Sequence, residues 1–431
     1  MIQFRFLQKN KWLVFLLLLL HHHVNAQEAG NLSLEDCYAM AKENYPAIKK
    51  MDLIVRSSDF DIQNANKRYL PQVTFSGQAT YQSETISFPD ALGTSGAAGV
   101  LPVISKDQYK IQGEINQLLY DGGSTHYQKD LLKANAALQE QNLEASLYSI
   151  KQRINSIYFS ILLMDAQLKQ NELNKATLQT QIQKTEAALE NGTAFRSSLE
   201  ELKAEILNID MAATEYKSNR IAYLNMLSMF IGKKLSASTQ LQIPEENYKK
   251  NEVNRPELKA YDLQRSVYDA QQKQLKSDYL PTVNVFFQGA YGRPTLNIIE
   301  NKFGPWYIAG ARFSWSLGGL YTLSNRKNIL SLNRQSVDAD RETFLLNTHL
   351  DLAQQDEQVN KYRTLIQQDN EAISLRISVT KSADAQLENG VITTHEYIQK
   401  VNAENLAKQT KILHEIQLLQ AQYNQKFISG N

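Results

Sequence analysis

Four histidines stand outside the N-terminal leader, His126, His349, His395 and His414, and no two of them share a metal-ligand spacing. His395 is followed by Glu396, as in a zinc-protease helix, but the second histidine of that helix is missing. The run "GTSGAAG" at 93–99 lacks the Lys-Ser/Thr ending and the following helix of a phosphate loop, and reads as a flexible connection. There is no nucleophile elbow, and Cys37 is the single cysteine, so no intrachain disulfide framework exists. These residues imply no metal, no cofactor and no catalysis. The charges with ordered placement are instead Lys110, Glu114 and Arg312, each on the polar side of an alternating segment. Their chemistry is that of a wetted wall, and the elements that carry them decide what the wall encloses.

The leader comes first. Arg5, Lys9 and Lys11 precede an apolar run at 12–20, and Val24-Asn25-Ala26 supplies a small-residue cleavage site. This is the pattern of a secretory signal peptide at 1–26, too short to span a bilayer. His21, His22 and His23 fall inside it and are removed with it. Cleavage behind Ala26 leaves 405 residues with 43 basic and 45 acidic side chains, a net charge of −2. A near-neutral chain has no electrostatic footprint for nucleic acid. No later segment approaches eighteen uninterrupted apolar residues, so no transmembrane helix is expected.

The rest of the chain is written twice. "RYLPQV" at 68–73 recurs as "DYLPTV" at 278–283, "QLLYDGGST" at 117–125 corresponds to "FSWSLGGLY" at 313–321, and "LENG" at 189–192 returns at 387–390. Three ordered matches at the structural breaks argue for two copies of one unit, at 27–232 and 255–431, joined by a linker at 233–254. Each copy reads helix, strand, loop, strand, long helix, turn, helix. Proline in Tyr-Leu-Pro ends a helix and biases the preceding residue toward extended geometry, so the motif marks a helix-to-strand joint.

Strands are expected at about 72–83, 106–119, 281–292 and 305–317, each alternating apolar and polar residues. Val73, Phe75, Ala79, Tyr81, Tyr109, Ile111, Ile115, Tyr307, Phe313 and Trp315 share the odd side, and Ile308 is an exception on the even side. Segments of this length, aromatic-rich and alternating, have the pattern of transmembrane β-strands. The alternative, a soluble sheet with one face on a core, fails because the flanking helices are long and polar. Four strands cannot close a barrel, and an open edge is not tolerated in lipid. Copies of the chain must therefore pool strands, about eight as a dimer or twelve as a trimer. Odd side chains then face lipid, while Lys110, Glu114 and Arg312 face a watery lumen.

No proline occurs between Pro102 and Pro244 or after Pro305, and no glycine from 320 to 389. About 65 helical residues reach on the order of 100 Å. Leu143, Leu147, Ile150, Ile154, Ile157, Ile161, Met164 and Leu168 alternate steps of four and three, the spacing of a coiled-coil seam. Leu345, Leu352, Val359, Ile366 and Ile373 recur every seven residues, with polar Thr348, Gln355 and Asp369 weakening that seam. Each long helix ends at Gly192 or Gly390, where glycine takes the left-handed geometry of a helix stop. The expectation is a membrane protein of mixed α+β class, a strand barrel continuing into a cylinder of helical hairpins with turns near 190–196 and 388–394.

Taken together these motifs resemble the TolC family of outer-membrane efflux proteins over essentially all the mature chain. "LSLEDCYAMAKENYPAI" at 32–48 resembles the family's opening helix. The Tyr-Leu-Pro and Gly-Gly segments resemble its strand entries and exits, and "LENGTAFRSSLEELKAE" and "LENGVITTHEYIQKVNAE" its helical tips. The resemblance implies an outer-membrane homotrimer with a twelve-stranded barrel. It also implies a periplasmic tunnel that docks a membrane-fusion adaptor protein and an inner-membrane pump of RND or ABC type. Gly192, Thr193, Ala194, Gly390, Val391 and Ile392 match positions that meet the adaptor. Glu396 matches an aspartate that narrows the family type member's aperture; the second such aspartate falls on Gln399, and the first-half equivalent is Ser198. The gate tyrosine and arginine fall on Leu387 and Ile392, so the polar latch is mostly absent; what is left for closure is a ring of three Glu396, or a leucine ring that closes by dewetting.

The function expected on this basis is a passive exit duct for small molecules, with secretion of peptides or proteins as the alternative. A trimeric coiled-coil adhesin also pools four strands per chain, but its strands come last, whereas helices follow both strand pairs here. A periplasmic adaptor lacks lipid-facing strands.

Overall fold

The computed structural model describes residues 31–86, 104–245, 252–297 and 300–431. The expected leader, the glycine run at 93–99 and part of the linker lie outside the described residues. In chain order the elements are α1 Leu34–Asn44, α2 Lys49–Asn66, β1 Gln72–Tyr81, β2 Asp107–Tyr120, α3 Ser124–Tyr148 and α4 Ile150–Glu190. There follow α5 Arg196–Ile231, α6 Pro256–Gln274, β3 Thr282–Arg293, β4 Gly304–Ser314, α7 Gly319–Glu388 and α8 Thr394–Ser429. The elements form two compact units, 1–45 with 150–248 and 357–424, and 46–149 with 249–356 and 425–431. Each unit draws on both sequence repeats.

The sheet lies in the second of these units. Its order is β1-β2-β3-β4, every neighbouring pair antiparallel, so the two repeats meet along β2 and β3. Odd residues pair with odd and even with even across all four strands, as in Phe75–Gly113, Gly113–Gly289 and Gly289–Tyr307. One pleat therefore runs through the whole sheet, with a single irregularity at Leu118/Tyr120.

Both Tyr-Leu-Pro joints behave as the proline rule demands. A short 3₁₀ turn, Lys67–Tyr69 or Leu275–Tyr279, tightens the helix end, and Leu70 and Leu280 then turn extended at ψ 150° and 149°. The Gly-Gly exits are required because the joints crowd them. A Cβ on Gly122, itself at φ +66°, would stand 2.8 Å from Leu280 Cβ, and one on Gly319 would stand 2.9 Å from the Asp278 carbonyl oxygen. Asp121 closes the first exit by accepting hydrogen bonds from the Tyr69 hydroxyl (2.8 Å) and the Gly123 and Thr125 amides (3.0 and 2.7 Å). These last two are otherwise unpaired at the start of α3. Burial acts to raise the Asp121 pKa, but these hydrogen bonds outweigh it and hold the carboxyl below the usual range.

In the same unit α3 packs on α2 and α6. Arg255 ties its lower end together: the guanidinium lies 5.0 Å from the Tyr148 ring centre and 4.9 Å from that of Phe427, and pairs with Glu257. Tyr148 donates to the Phe427 carbonyl at 2.8 Å, and burial pushes its hydroxyl up to about 12.

The other unit is helical. The seam expected on α3 and α4 is buried from Leu143 to Ile161, and the weaker seam on α7 is half-buried apart from buried Thr348 and Val359. One expected long helix is two, because α3 stops at Tyr148 and α4 begins at Ile150. Ser149 sits between them with its hydroxyl on the Ser146 carbonyl at 2.7 Å, a bond that competes with the helix ladder. Its counterpart α7 is unbroken for 70 residues. Past Leu168 the buried stripe of α4 keeps its three-four spacing but turns polar, through Asn171, Asn174, Leu178, Gln181 and Thr185. Cys37 is fully buried on α1, and burial followed by Asp36 and Glu35 pushes its thiol up to about 12, far from a reactive thiolate. Among the described residues no helix is long and apolar enough to cross a membrane.

Candidate functional site: the strand wall and the helical tips

The sheet inverts the burial pattern of a water-soluble protein. Large apolar residues stand in the open on its odd side: Phe75 is 82% exposed, Ile111 70% and Tyr307 69%. On the even side, Gln112 is buried and Lys110, Glu114, Asn116 and Gln288 are half-covered. Glu114 accepts three amide hydrogen bonds there, from Gln112 (3.2 Å), Asn116 (2.5 Å) and Gln288 (2.9 Å). Arg312, on the same side, lies 5.1 Å from the centre of the Phe286 ring. The structure thus places Lys110, Glu114 and Arg312 on one face, as the alternation demanded. The remaining strand charges, Asp107 and Arg293, pair with each other across β2 and β3.

In the helical unit the two turns at "LENG" are built alike. Gly192 and Gly390 both take φ +71°. The Gly192 amide donates to the Leu189 carbonyl at 3.0 Å and the Thr193 amide to the Ala188 carbonyl at 2.8 Å. Gly390 and Val391 repeat this at 3.0 and 2.8 Å, on Leu387 and Gln386. These are the paired bonds of a Schellman stop, which needs a residue at positive φ. The turns leave apolar groups in the open: Val391 is 69% exposed, and Phe195, which the motif reading passed over, is 79% exposed. Gly192, Thr193 and Gly390 are exposed, while Ala194 and Ile392 are half-buried.

Behind the turns the two hairpins share one core of Leu178, Leu202, Ile209, Ala383, Tyr397, Ile398 and Val401, with Leu387 and Ile392 packed against it. Within one chain Leu387 and Ile392 thus contribute to packing between hairpins. Tyr397 is buried in that core, which pushes its hydroxyl up to about 12. Polar links reinforce the junction: Lys184 reaches Glu388 at 2.7 Å and Asp384 at 3.5 Å, and Asn402 donates to Glu205 at 2.9 Å. His395 Nδ1 stands 2.6 Å from Glu201, and its Nε2 stands 2.9 Å from the Gln399 amide. Glu201 and Gln399 occupy equivalent places in the two repeats, so His395 bridges the hairpins through matched positions. Sequence motifs gave no sign of this bridge, since its partners lie 194 residues apart.

Glu396 has a local task. Its carboxylate accepts from the Thr393 amide (2.8 Å) and hydroxyl (3.0 Å), while the Glu396 amide donates to the Thr393 hydroxyl at 3.2 Å. This is the reciprocal capping box of Thr-x-x-Glu at the start of α8. Hydrogen bonds from the Thr393 amide and hydroxyl lower the Glu396 pKa, with Lys400 and His395 adding to the effect. The signal was present in the spacing of Thr393 and Glu396. Ser198, its counterpart, carries no carboxylate and donates its amide to the Phe195 carbonyl at 3.1 Å. We expect Glu396→Ala to loosen the first turn of α8, read as faster amide exchange at Thr393 and Glu396. Unchanged exchange there would remove the capping role.

Comparison with known proteins follows these features. The outer membrane efflux protein family model matches residues 37–233. Among solved structures, the channel-forming protein CusC superposes with a TM-score of 0.67 at 12% identity, covering 92% of each chain. The outer membrane protein VceC of Vibrio cholerae gives 0.63 at 12% identity, over 92% of this chain and 96% of that one. The open state of the Neisseria gonorrhoeae MtrE outer membrane channel gives 0.63 at 10% identity, over 92% and 89%. No curated protein sequence matches.

Proposed function

We propose that this chain, whose residues 37–233 match the outer membrane efflux protein family model and whose fold is that of CusC, VceC and MtrE, assembles as a homotrimer and forms the passive exit duct of a tripartite system. Its place is the outer membrane, with the helical hairpins in the periplasm. The observation that carries the assembly is the pair of open edges: among the described residues β1 pairs only with β2, and β4 only with β3. Such edges cannot persist in lipid, where every backbone amide and carbonyl needs a partner. Since the four strands alternate in direction, β4 of one copy meets β1 of the next antiparallel, and three copies close twelve strands. The exposed aromatic and aliphatic odd face then meets lipid, and the even face lines water.

The turns at Gly192, Thr193, Ala194, Gly390, Val391 and Ile392 dock a periplasmic membrane-fusion adaptor. Phe195 and Val391 support this reading, because exposed apolar groups on rigid turns suit a partner's helical hairpin. An inner-membrane pump of RND or ABC type supplies energy, and a partner that binds the open aperture more tightly than the closed one biases it open. The aperture lies at the level of Ser198, Leu387, Ile392, Glu396 and Gln399. The cargo is small toxic molecules. Deleting the chain from its host should lower the inhibitory concentrations of several unrelated compounds. Unchanged susceptibility together with the loss of a secreted polypeptide would move the chain to the type I secretion reading.

A further inference from the structure

The even face of the sheet carries three charges, and their order along the strands is fixed by register. Lys110 stands opposite Gly292 of β3, Glu114 opposite Gln288, and Arg312 opposite Asn284. On β3 these rows are four residues apart, about 13 Å at 3.3–3.4 Å per residue. The face thus reads cation, anion, cation.

The three are not equivalent in how their charge is met. Glu114 is held by the amides of Gln112, Asn116 and Gln288 at 2.5–3.2 Å. Arg312 rests on the Phe286 ring and has no carboxylate partner among the described residues. Lys110 likewise has no ion pair among the described residues, facing Gln78 on one side and Gly292 on the other. Every other even position on the four strands is uncharged. The anion is therefore locally satisfied, both cations remain available, and the face carries a net charge of +1 per chain.

We infer that the barrel lumen is an anion-preferring filter in which Lys110 and Arg312 set the preference and Glu114 moderates it, favouring anionic small solutes over cationic ones. This rests on the trimeric-barrel reading, under which each charge becomes a ring of three and the wall carries +3. Rings of charged side chains select ions in this way. The effect is screened over about 8 Å at 0.15 M salt and over about 30 Å at 0.01 M, so it belongs to dilute electrolyte.

The test is the reversal potential of the purified full chain in a planar bilayer under a dilute potassium chloride gradient. The wild-type protein should prefer chloride, Glu114→Gln should strengthen that preference, Arg312→Gln should weaken it, and Lys110→Glu should reverse the sign. Comparing variants in one background cancels whatever the helical section contributes. Lys110→Gln, which removes the charge without adding one, must shift the potential the same way as Lys110→Glu and by less, and guards against a misfolded variant. Wild-type cation preference, or potentials that do not follow this order in conducting channels, would overturn the filter while leaving the duct intact. A chain that neither conducts nor fractionates with outer membranes would instead refute the duct itself.

Discussion

Phe75→Arg should empty the membrane fraction of this protein, while Thr74→Arg, one residue away, should leave it nearly unchanged. Phe75 projects from the middle of β1 on the odd face and is the most exposed aromatic of the four strands. Thr74 projects the other way and stands in register with Glu114. In lipid, an arginine at mid-depth costs about 2–4 kcal/mol per chain, and a trimer carries that cost three times. On the lumen side the same arginine meets water and a carboxylate. A sheet left in water as it stands, with Thr74 and Phe75 both exposed, would tolerate arginine at either position. The measurement is the amount of each variant recovered in washed outer membranes, alongside its heat-resistant oligomer on gels. Equal recovery of the two variants would contradict the assignment of faces.

The second large effect lies in the helical unit. Arg220 on α5 has a side chain only 10% exposed. It pairs with Asp165 on α4 and donates to the Ala237 and Thr239 carbonyls at 2.6 Å each. It thereby fastens the segment after α5, where Leu241 bridges Leu32 and Tyr158 donates to the Leu32 and Gln242 carbonyls at 2.8 and 2.6 Å. Arg220→Met keeps the aliphatic stem but strands a carboxylate and two carbonyls. Fully buried pairs broken from one side cost 3–5 kcal/mol; with Asp165 partly open to solvent, about 2–3 kcal/mol is expected. Exchange of the Leu32 and Gln242 amides, which hold that bridge, should accelerate about 50-fold. Asp165→Asn, which keeps a hydrogen-bond acceptor, should cost less. Amides at Leu32 and Gln242 that exchange at wild-type rates in Arg220→Met would show that the arginine does not hold the segment.

Both sites also show where residue order suffices and where it does not. Tyr-Leu-Pro and Gly-Gly were legible because each obeys a local rule: proline forces extension before it, and glycine alone fits where Leu280 and Asp278 press on the strand exits. The alternation of β1 to β4 was legible because period two survives any tertiary context. Pairing of β2 with β3 was not, since it joins the two repeats and depends on which edges meet. The polar stripe Asn171–Asn174–Gln181–Thr185 escaped notice because amides read as surface, although its three-four spacing continued the apolar seam. The break at Ser149 has no proline or glycine to announce it. At the tips, the glycine stops were readable and the Thr393–Glu396 box could have been, but the His395 bridge depends on how the hairpins meet.

The most direct measurement is the mass of the particle released from outer membranes by mild detergent, determined by native mass spectrometry. Three chains per particle is the predicted result, as required if one sheet of four strands supplies a third of a closed wall. A single chain that remains in solution without detergent would contradict the shared barrel, because both sheet edges would then lie open to water.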